Sequence, residues 1–136
     1  GLVFGAYSYG PKNGSKFLEV PLVIGFNWVI VILGAAGISQ TVFSSKIWAS
    51  ILSGAIALGF DAVMEPTAIR LNYWSWSADN IAKIGRVPVQ NFIAWFLIAF
   101  IFAFALLSLK ERLESKMPSI YLCIQSIFFL LLLFAL

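Results

Sequence analysis

Apolar residues run through this chain in four long blocks separated by polar punctuation, at about Pro21–Ile38, Ile47–Met64, Asn91–Leu109 and Ser119–Leu136. Each approaches the roughly 20 helical residues that cross about 30 Å of hydrocarbon. Backbone groups in lipid have to be satisfied internally, and no alternating strand pattern is present, so the blocks predict four transmembrane helices. The expected fold class is an all-α integral membrane protein, one membrane domain over residues 1–136.

The connections differ more than the spans. A short SQTVFSSK turn joins the first pair and KERLESKMP the last pair, whereas residues 65–90 separate the second and third spans. That stretch, EPTAIRLNYWSWSADNIAKIGRVPVQ, carries Glu65, Arg70, Asp79, Lys83 and Arg86 among Tyr73, Trp74 and Trp76. Structureless loops of this length are uncommon and often functional, so short interfacial helices are expected here. The first and third spans also echo each other: VPLVIGFNW and VPVQNFIAW both place Trp seven residues after Pro. Proline at the first helical position and tryptophan at an interface account for most of that echo.

Composition narrows the function classes. Of 136 residues, 61% are hydrophobic and 11% charged, with 13 Phe and 5 Trp, far above the apolar share of a soluble domain. A net charge of +3, scattered over loops, does not make a nucleic-acid surface. The single Cys123 lies in an apolar run and histidine is absent, so disulfide frameworks, Cys/His metal sites and histidine catalysis are excluded; no metal or cofactor is expected. Acid–base chemistry falls to Asp, Glu, Lys, Tyr or Arg. The chain opens at Gly1 with polar and aromatic residues rather than a signal peptide, the expectation for a fragment or a processed product. Lys12, Lys16, Arg70, Lys83 and Arg86 on one side against Lys46, Lys110, Arg112 and Lys116 on the other do not set an orientation.

With four spans, the first and third helices begin on the side where the second ends, so Asn27, Asp61, Glu65, Arg70 and Asn91 are expected to converge at one end of the bundle. Asp61 and Glu65, four apart, differ by about 40° in azimuth on a helix and share a face. Pro66 is expected to end or kink the span at Glu65, leaving Asp61 roughly one turn inside. Both acids could mark the interface, with Arg70 as a salt-bridge partner. Against that, an acid within a span costs about 2.5–3.5 kcal/mol on insertion scales and points to function by default. The small residues Ser50, Gly54, Ala55 and Gly59 suggest close packing that turns these acids inward.

The run GFDAVMEPTAIRLNYWSW, followed by GRVPVQNFIAWF and preceded by FGAYSYG and KFLEVPLVIGFNW, resembles the membrane carotenoid biosynthesis family, which includes CruF-type carotenoid 1′,2′-hydratases and bisanhydrobacterioruberin hydratase. The resemblance covers about residues 4–96, in the family's order, and its most specific element is acid–x3–Glu-Pro–x3–Arg–Leu–x–Tyr/Phe-Trp–x–Trp. Two departures stand out. Members usually carry further membrane helices ahead of the FGxYxY element, which suggests an N-terminally truncated member. Asn72 also stands where a glycine is common, which puts the turn before Tyr73 in question.

The resemblance implies an integral protein of a bacterial or archaeal inner membrane that adds water across the terminal double bond of an acyclic carotenoid. Protonating that alkene requires a carboxyl group kept neutral near pH 7, which burial or a second carboxylate favours. On this reading Asp61 is the general acid, Glu65 holds water or shares the proton, and Arg70 orients the ionised member. Trp28, Tyr73, Trp74, Trp76 and Trp95 would shield a carbocation, because aromatic faces attract positive charge. Asn27 and Asn91 would position water or the carboxyls, or bind helices together. Tyr7 and Tyr9 would line a pocket mouth. Expected partners are the bilayer, a carotenoid substrate, and other carotenoid enzymes or a chain supplying further helices. Alternatives from other classes are a non-catalytic carotenoid-binding or accessory subunit and a small proton- or ion-coupled transporter using Asp61.

Overall fold

The computed structural model describes residues 3–11, 14–17, 20–77, 82–109 and 113–135. Of the charged loop residues named above, Lys12, Asp79, Lys110 and Arg112 lie outside the described residues. Four helices long and apolar enough to cross a membrane make up most of the chain: α1 (Leu22–Val42), α2 (Lys46–Arg70), α3 (Val89–Leu109) and α4 (Met117–Ala135). The all-helical membrane expectation holds, with ends shifted by a few residues. Six short strands, paired two by two, sit at the end of the bundle where α1 and α3 begin: β1 (Tyr7–Tyr9), β2 (Lys16–Phe17), β3 (Val20–Pro21), β4 (Trp74–Trp76), β5 (Lys83–Ile84) and β6 (Val87–Pro88).

Two expectations about residues 65–90 are corrected by this. Beyond α2, its described residues form strands rather than short interfacial helices, because the alternating Trp–Ser–Trp pairs with a second alternating aromatic segment far away in sequence. Helix α2 also runs through Pro66 to Arg70. Proline removes one i→i−4 bond, but Met64, Glu65, Thr67 and Ala68 are buried and hold the last turns in place. The helix then closes through Leu71 N–H to the Thr67 carbonyl and Tyr73 N–H to the Ala68 carbonyl, both 3.0 Å. Asp61 therefore lies about two and a half turns inside the end of α2, deeper than a break at Pro66 would put it.

The echo between the first and third spans extends well beyond Pro and Trp. β1 and β4 pair antiparallel with Tyr7 opposite Trp76, Ser8 opposite Ser75 and Tyr9 opposite Trp74. Ser8 and Ser75 are 67 positions apart, and their hydroxyls meet at 3.0 Å. The same spacing relates β2–β3 to β5–β6, with Lys16 opposite Pro21 and Lys83 opposite Pro88, and it relates the bounds of α1 to those of α3. Contacts across the pairing are reciprocal: Gly10 N–H bonds the Tyr73 carbonyl and Ser77 N–H bonds the Ala6 carbonyl, both 2.8 Å. Equivalent contacts made in both directions are the mark of a two-fold relation. The chain is thus built from two strand–hairpin–helix units facing each other across Ser8 and Ser75. Asn72 belongs to the same scheme. Its φ of 60° and the φ of 100° at Gly5, 67 positions earlier, place both in the left-handed region. Asparagine tolerates that region better than most residues, so the turn before Tyr73 keeps the conformation that glycine would take.

Helix packing follows the small residues, though not the ladder expected. On α2 the buried stripe is Ser50, Ser53, Gly54 and Ala57, while Ala55 and Gly59 are exposed. Ser50 and Ser53 satisfy their hydroxyls on the Lys46 and Ala49 carbonyls, so they pack like small apolar residues. A side chain at Gly54 would meet the Phe96 carbonyl at 2.9 Å, which fixes how closely α2 and α3 approach. At Gly34 it would meet the Pro118 carbonyl at 2.5 Å, which does the same for α1 and α4.

Candidate functional site

A cavity of about 130 Å³ lies between the two units and α2 at the strand-bearing end of the bundle. Its floor is polar. α2 supplies Asp61, 0% exposed, and Glu65, 2% exposed, on the face that the four-residue spacing predicts. α3 supplies Asn91, also buried, whose amide donates to Asp61 Oδ2 at 2.6 Å and to Glu65 Oε1 at 3.4 Å. The indole N–H groups of Trp74 and Trp76 both donate to Glu65 Oε2 at 3.0 Å. The alternation of β4 explains that convergence, because residues two apart on a strand point the same way. The remaining oxygen, Asp61 Oδ1, is buried without a hydrogen-bond partner among the described residues.

The walls are aromatic. Trp28 and Trp95, equivalent residues of the two units, stack with centroids 3.4 Å apart and planes 8° from parallel. Phe4 leans on Trp95 at 4.9 Å, and Phe60 meets Trp28 edge-on at 6.1 Å. Tyr7 packs edge-on against Trp76 at 5.3 Å and against Tyr9 at 5.0 Å. Burial first, then the hydrogen bond and charge of Tyr7, then the charge of Glu65 push the Tyr9 phenol above its ordinary range, so this tyrosine stays a neutral hydroxyl at physiological pH.

Of the residues singled out in the sequence, Asp61, Glu65, Asn91, Trp28, Trp74, Trp76, Trp95, Tyr7 and Tyr9 all line this cavity. Three stand outside the described lining. Asn27 accepts a hydrogen bond from Gln125 Nε2 at 2.7 Å and ties α1 to α4. Tyr73 is 39% exposed at the strand entrance. Arg70 is exposed and donates to the Leu133 carbonyl at 3.4 Å. Five residues on from Glu65, Arg70 is turned about 140° around the helix. The two indoles occupy the place at the carboxylate that the sequence reading gave to this guanidinium. Phe4, Ile24, Gly25 and Met64 complete the lining. They carried no signal of their own, being ordinary residues for an apolar helix or its approach; only superposing the two units, which sets Ile24 on Asn91 and Gly25 on Phe92, draws attention to two of them.

This arrangement is a small chamber with one carboxyl group held by three donors, a second carboxyl with an oxygen unpartnered among the described residues, and aromatic rings around them. Such a chamber can hand a proton to an electron-rich apolar group and stabilise the cation that results. Comparison with curated proteins and with solved structures gives no match. The family described as carotenoid biosynthesis protein matches residues 1–136, the whole chain. With a membrane bundle and this match over residues 1–136, the chain belongs to the carotenoid biosynthesis protein family.

Proposed function

We propose that the protein hydrates the terminal double bond of an acyclic carotenoid end group, with Asp61 as the general acid. The observation that carries this reading is the unequal treatment of two adjacent buried carboxyls. Glu65 receives two indole N–H bonds on one oxygen and the Asn91 amide on the other, an environment of donors that suits an acceptor-only carboxylate. Asp61 receives one bond on Oδ2 and none on Oδ1, so Oδ1 is the atom that can carry a proton without losing an existing partner. Two ionised carboxyls one helical turn apart in an apolar setting repel each other, and sharing a single negative charge relieves this.

The step then balances as follows. The π electrons of the C1=C2 bond take the proton from Asp61 Oδ1 at C2, and the positive charge is left on tertiary C1. The aromatic rings that line the chamber and the anion of Glu65 would stabilise that charge. A water molecule gives a lone pair to C1, and the oxonium proton returns to the Asp61 carboxylate. The net change is one C–H bond, one C–O bond and one water consumed. Tyr9 lines the same chamber and would hold the attacking water, since its neutral phenol both donates and accepts. Asn91 keeps Asp61 oriented through both protonation states.

Expression of the chain, and of any longer form of it, in a bacterium that accumulates an acyclic carotenoid tests the proposal. Chromatography with mass spectrometry is expected to find pigment heavier by one water. Pigments unchanged in the presence of folded protein would refute hydration and leave carotenoid binding without turnover as the reading of the same chamber.

A further inference from the structure

The two units agree along their strands, hairpins and stacked tryptophans, and they part company beside the acids. At the 67-residue spacing, Gly25 on α1 corresponds to Phe92 on α3. Phe92 is 9% exposed and fills its own position. Gly25 is exposed, yet it lines the cavity, and a Cβ built there meets nothing within 4 Å. A residue that is both on the outer surface and on the chamber wall marks an opening between the two. Close helix packing does not explain this glycine, as it explains Gly34 and Gly54, where a side chain would collide with a neighbouring backbone. Glycine inside a helix costs about 0.5–1 kcal/mol relative to alanine, so Gly25, which unlike the equally open Gly59 borders the cavity, calls for a reason other than packing.

Size supplies it. A cavity of about 130 Å³ is well below the roughly 300–1,000 Å³ of pockets that enclose a drug-sized ligand. It can hold one end of a carotenoid and not the conjugated chain behind it. The chain has to leave the chamber, and it has to leave into lipid. Four and eight residues past Gly25 on the same helical face are Val29, 55% exposed, and Leu33, half-buried.

We propose that Gly25 is a specificity-determining gap: the carotenoid enters end first from the bilayer, its end group lies in the chamber, and its polyene passes over Gly25 onto the lipid-facing ridge of Val29 and Leu33. This rests on the family's ligand being a carotenoid and is independent of whether water is added. An apolar side chain at this position would close the gap as Phe92 closes its counterpart, and would exclude long substrates while leaving room for a short one.

The test is ligand binding to the purified chain in phosphatidylcholine nanodiscs. Polyene binding is read by tryptophan quenching and induced circular dichroism. Binding of an acyclic monoterpene with the same terminal double bond, short enough to sit wholly inside, is read by saturation-transfer NMR. Gly25→Phe is expected to weaken polyene binding by about tenfold or more, the scale of forcing extra atoms into filled space, and to keep the monoterpene. Gly25→Val, a smaller plug, provides the same comparison should the phenylalanine variant fail to fold. Gly59→Phe is the control for a bulky residue at an open helical glycine away from the chamber, and is expected to bind both ligands as the unaltered chain does. Undiminished polyene binding by the Gly25 variants, loss of the monoterpene along with the polyene, or no polyene binding by the unaltered chain would each overturn the proposal. Polyene binding that Gly25→Phe blocks, in a protein that forms no hydrated product, would uphold this inference and refute the hydratase reading.

Discussion

The first unit, built on β1 and α1, and the second, built on β4 and α3, share strand register, hairpin register, helix bounds and a stacked tryptophan each, yet only one side of the pair carries the carboxyls. Asp61 and Glu65 lie on α2, and at the same spacing α4 has Phe128 and Leu132. The repeated parts make a shell: paired strands lie at one end of the bundle, and the stacked Trp28 and Trp95 join the two units. The unrepeated parts make the chemistry, with two acids from α2, Asn91 where the first unit has Ile24, and Gly25 where the second has Phe92. A symmetric scaffold thus holds a cavity whose carboxyl groups come from one side.

Substitutions at the positions where the two units differ test that contrast. The largest effect is expected from Asp61→Asn, which keeps the shape and removes the proton: a general acid is worth about 10²–10⁴-fold in rate, and hydrated pigment should fall accordingly while the protein still folds. Next comes Glu65→Leu, which carries the apolar character of Leu132 into the acid-bearing helix. It leaves the Trp74 and Trp76 indoles without their acceptor, at about 1–3 kcal/mol for each unsatisfied buried group. Thermal unfolding in detergent should show the loss, and Glu65→Gln, which retains an acceptor oxygen, should recover much of it.

The strands test the two-fold relation itself. Gly10 and Ser77 are equivalent, but a Cβ at Gly10 would collide with the Asn72 carbonyl oxygen. Gly10→Ser is therefore expected to destabilise by about 1–3 kcal/mol, whereas Ser77→Gly should change unfolding far less. The smallest effect belongs to the left-handed turn. Asn72→Gly, which copies Gly5, should be close to neutral, and Asn72→Val should cost about 1–2 kcal/mol because a β-branched residue resists positive φ.

How much of this was legible in the sequence depends on the kind of signal. Four apolar blocks of spanning length are read easily because lipid imposes length and composition on any crossing helix. Asp61 and Glu65 stand out for the same reason, as charges in such a block. Their common face follows from helical periodicity, and Asn91 from the side on which α3 begins. The partners of Glu65 were not legible in the same way. Arg70 is the obvious counter-charge by proximity in sequence, yet helix geometry turns it outward, while Trp74 and Trp76 reach the carboxylate only because β4 folds back beside β1. That pairing joins segments 67 positions apart, and local propensity carries no information about it. Pro66 misled for a related reason: tertiary burial of Glu65, Thr67 and Ala68 outweighs the helix bond that proline removes. Gly25 is unremarkable among the glycines until the units are superposed.

Whether Asp61 delivers the proton is read out by isotope labelling. The purified chain in nanodiscs is given an acyclic carotenoid in D₂O, and the product is analysed by mass spectrometry and NMR. The account predicts one non-exchangeable deuterium at C2 beside a new oxygen at C1, formed by the unaltered chain and absent with Asp61→Asn. A hydrated, deuterated product made equally fast by folded Asp61→Asn would contradict it and move the proton donor elsewhere in the chamber.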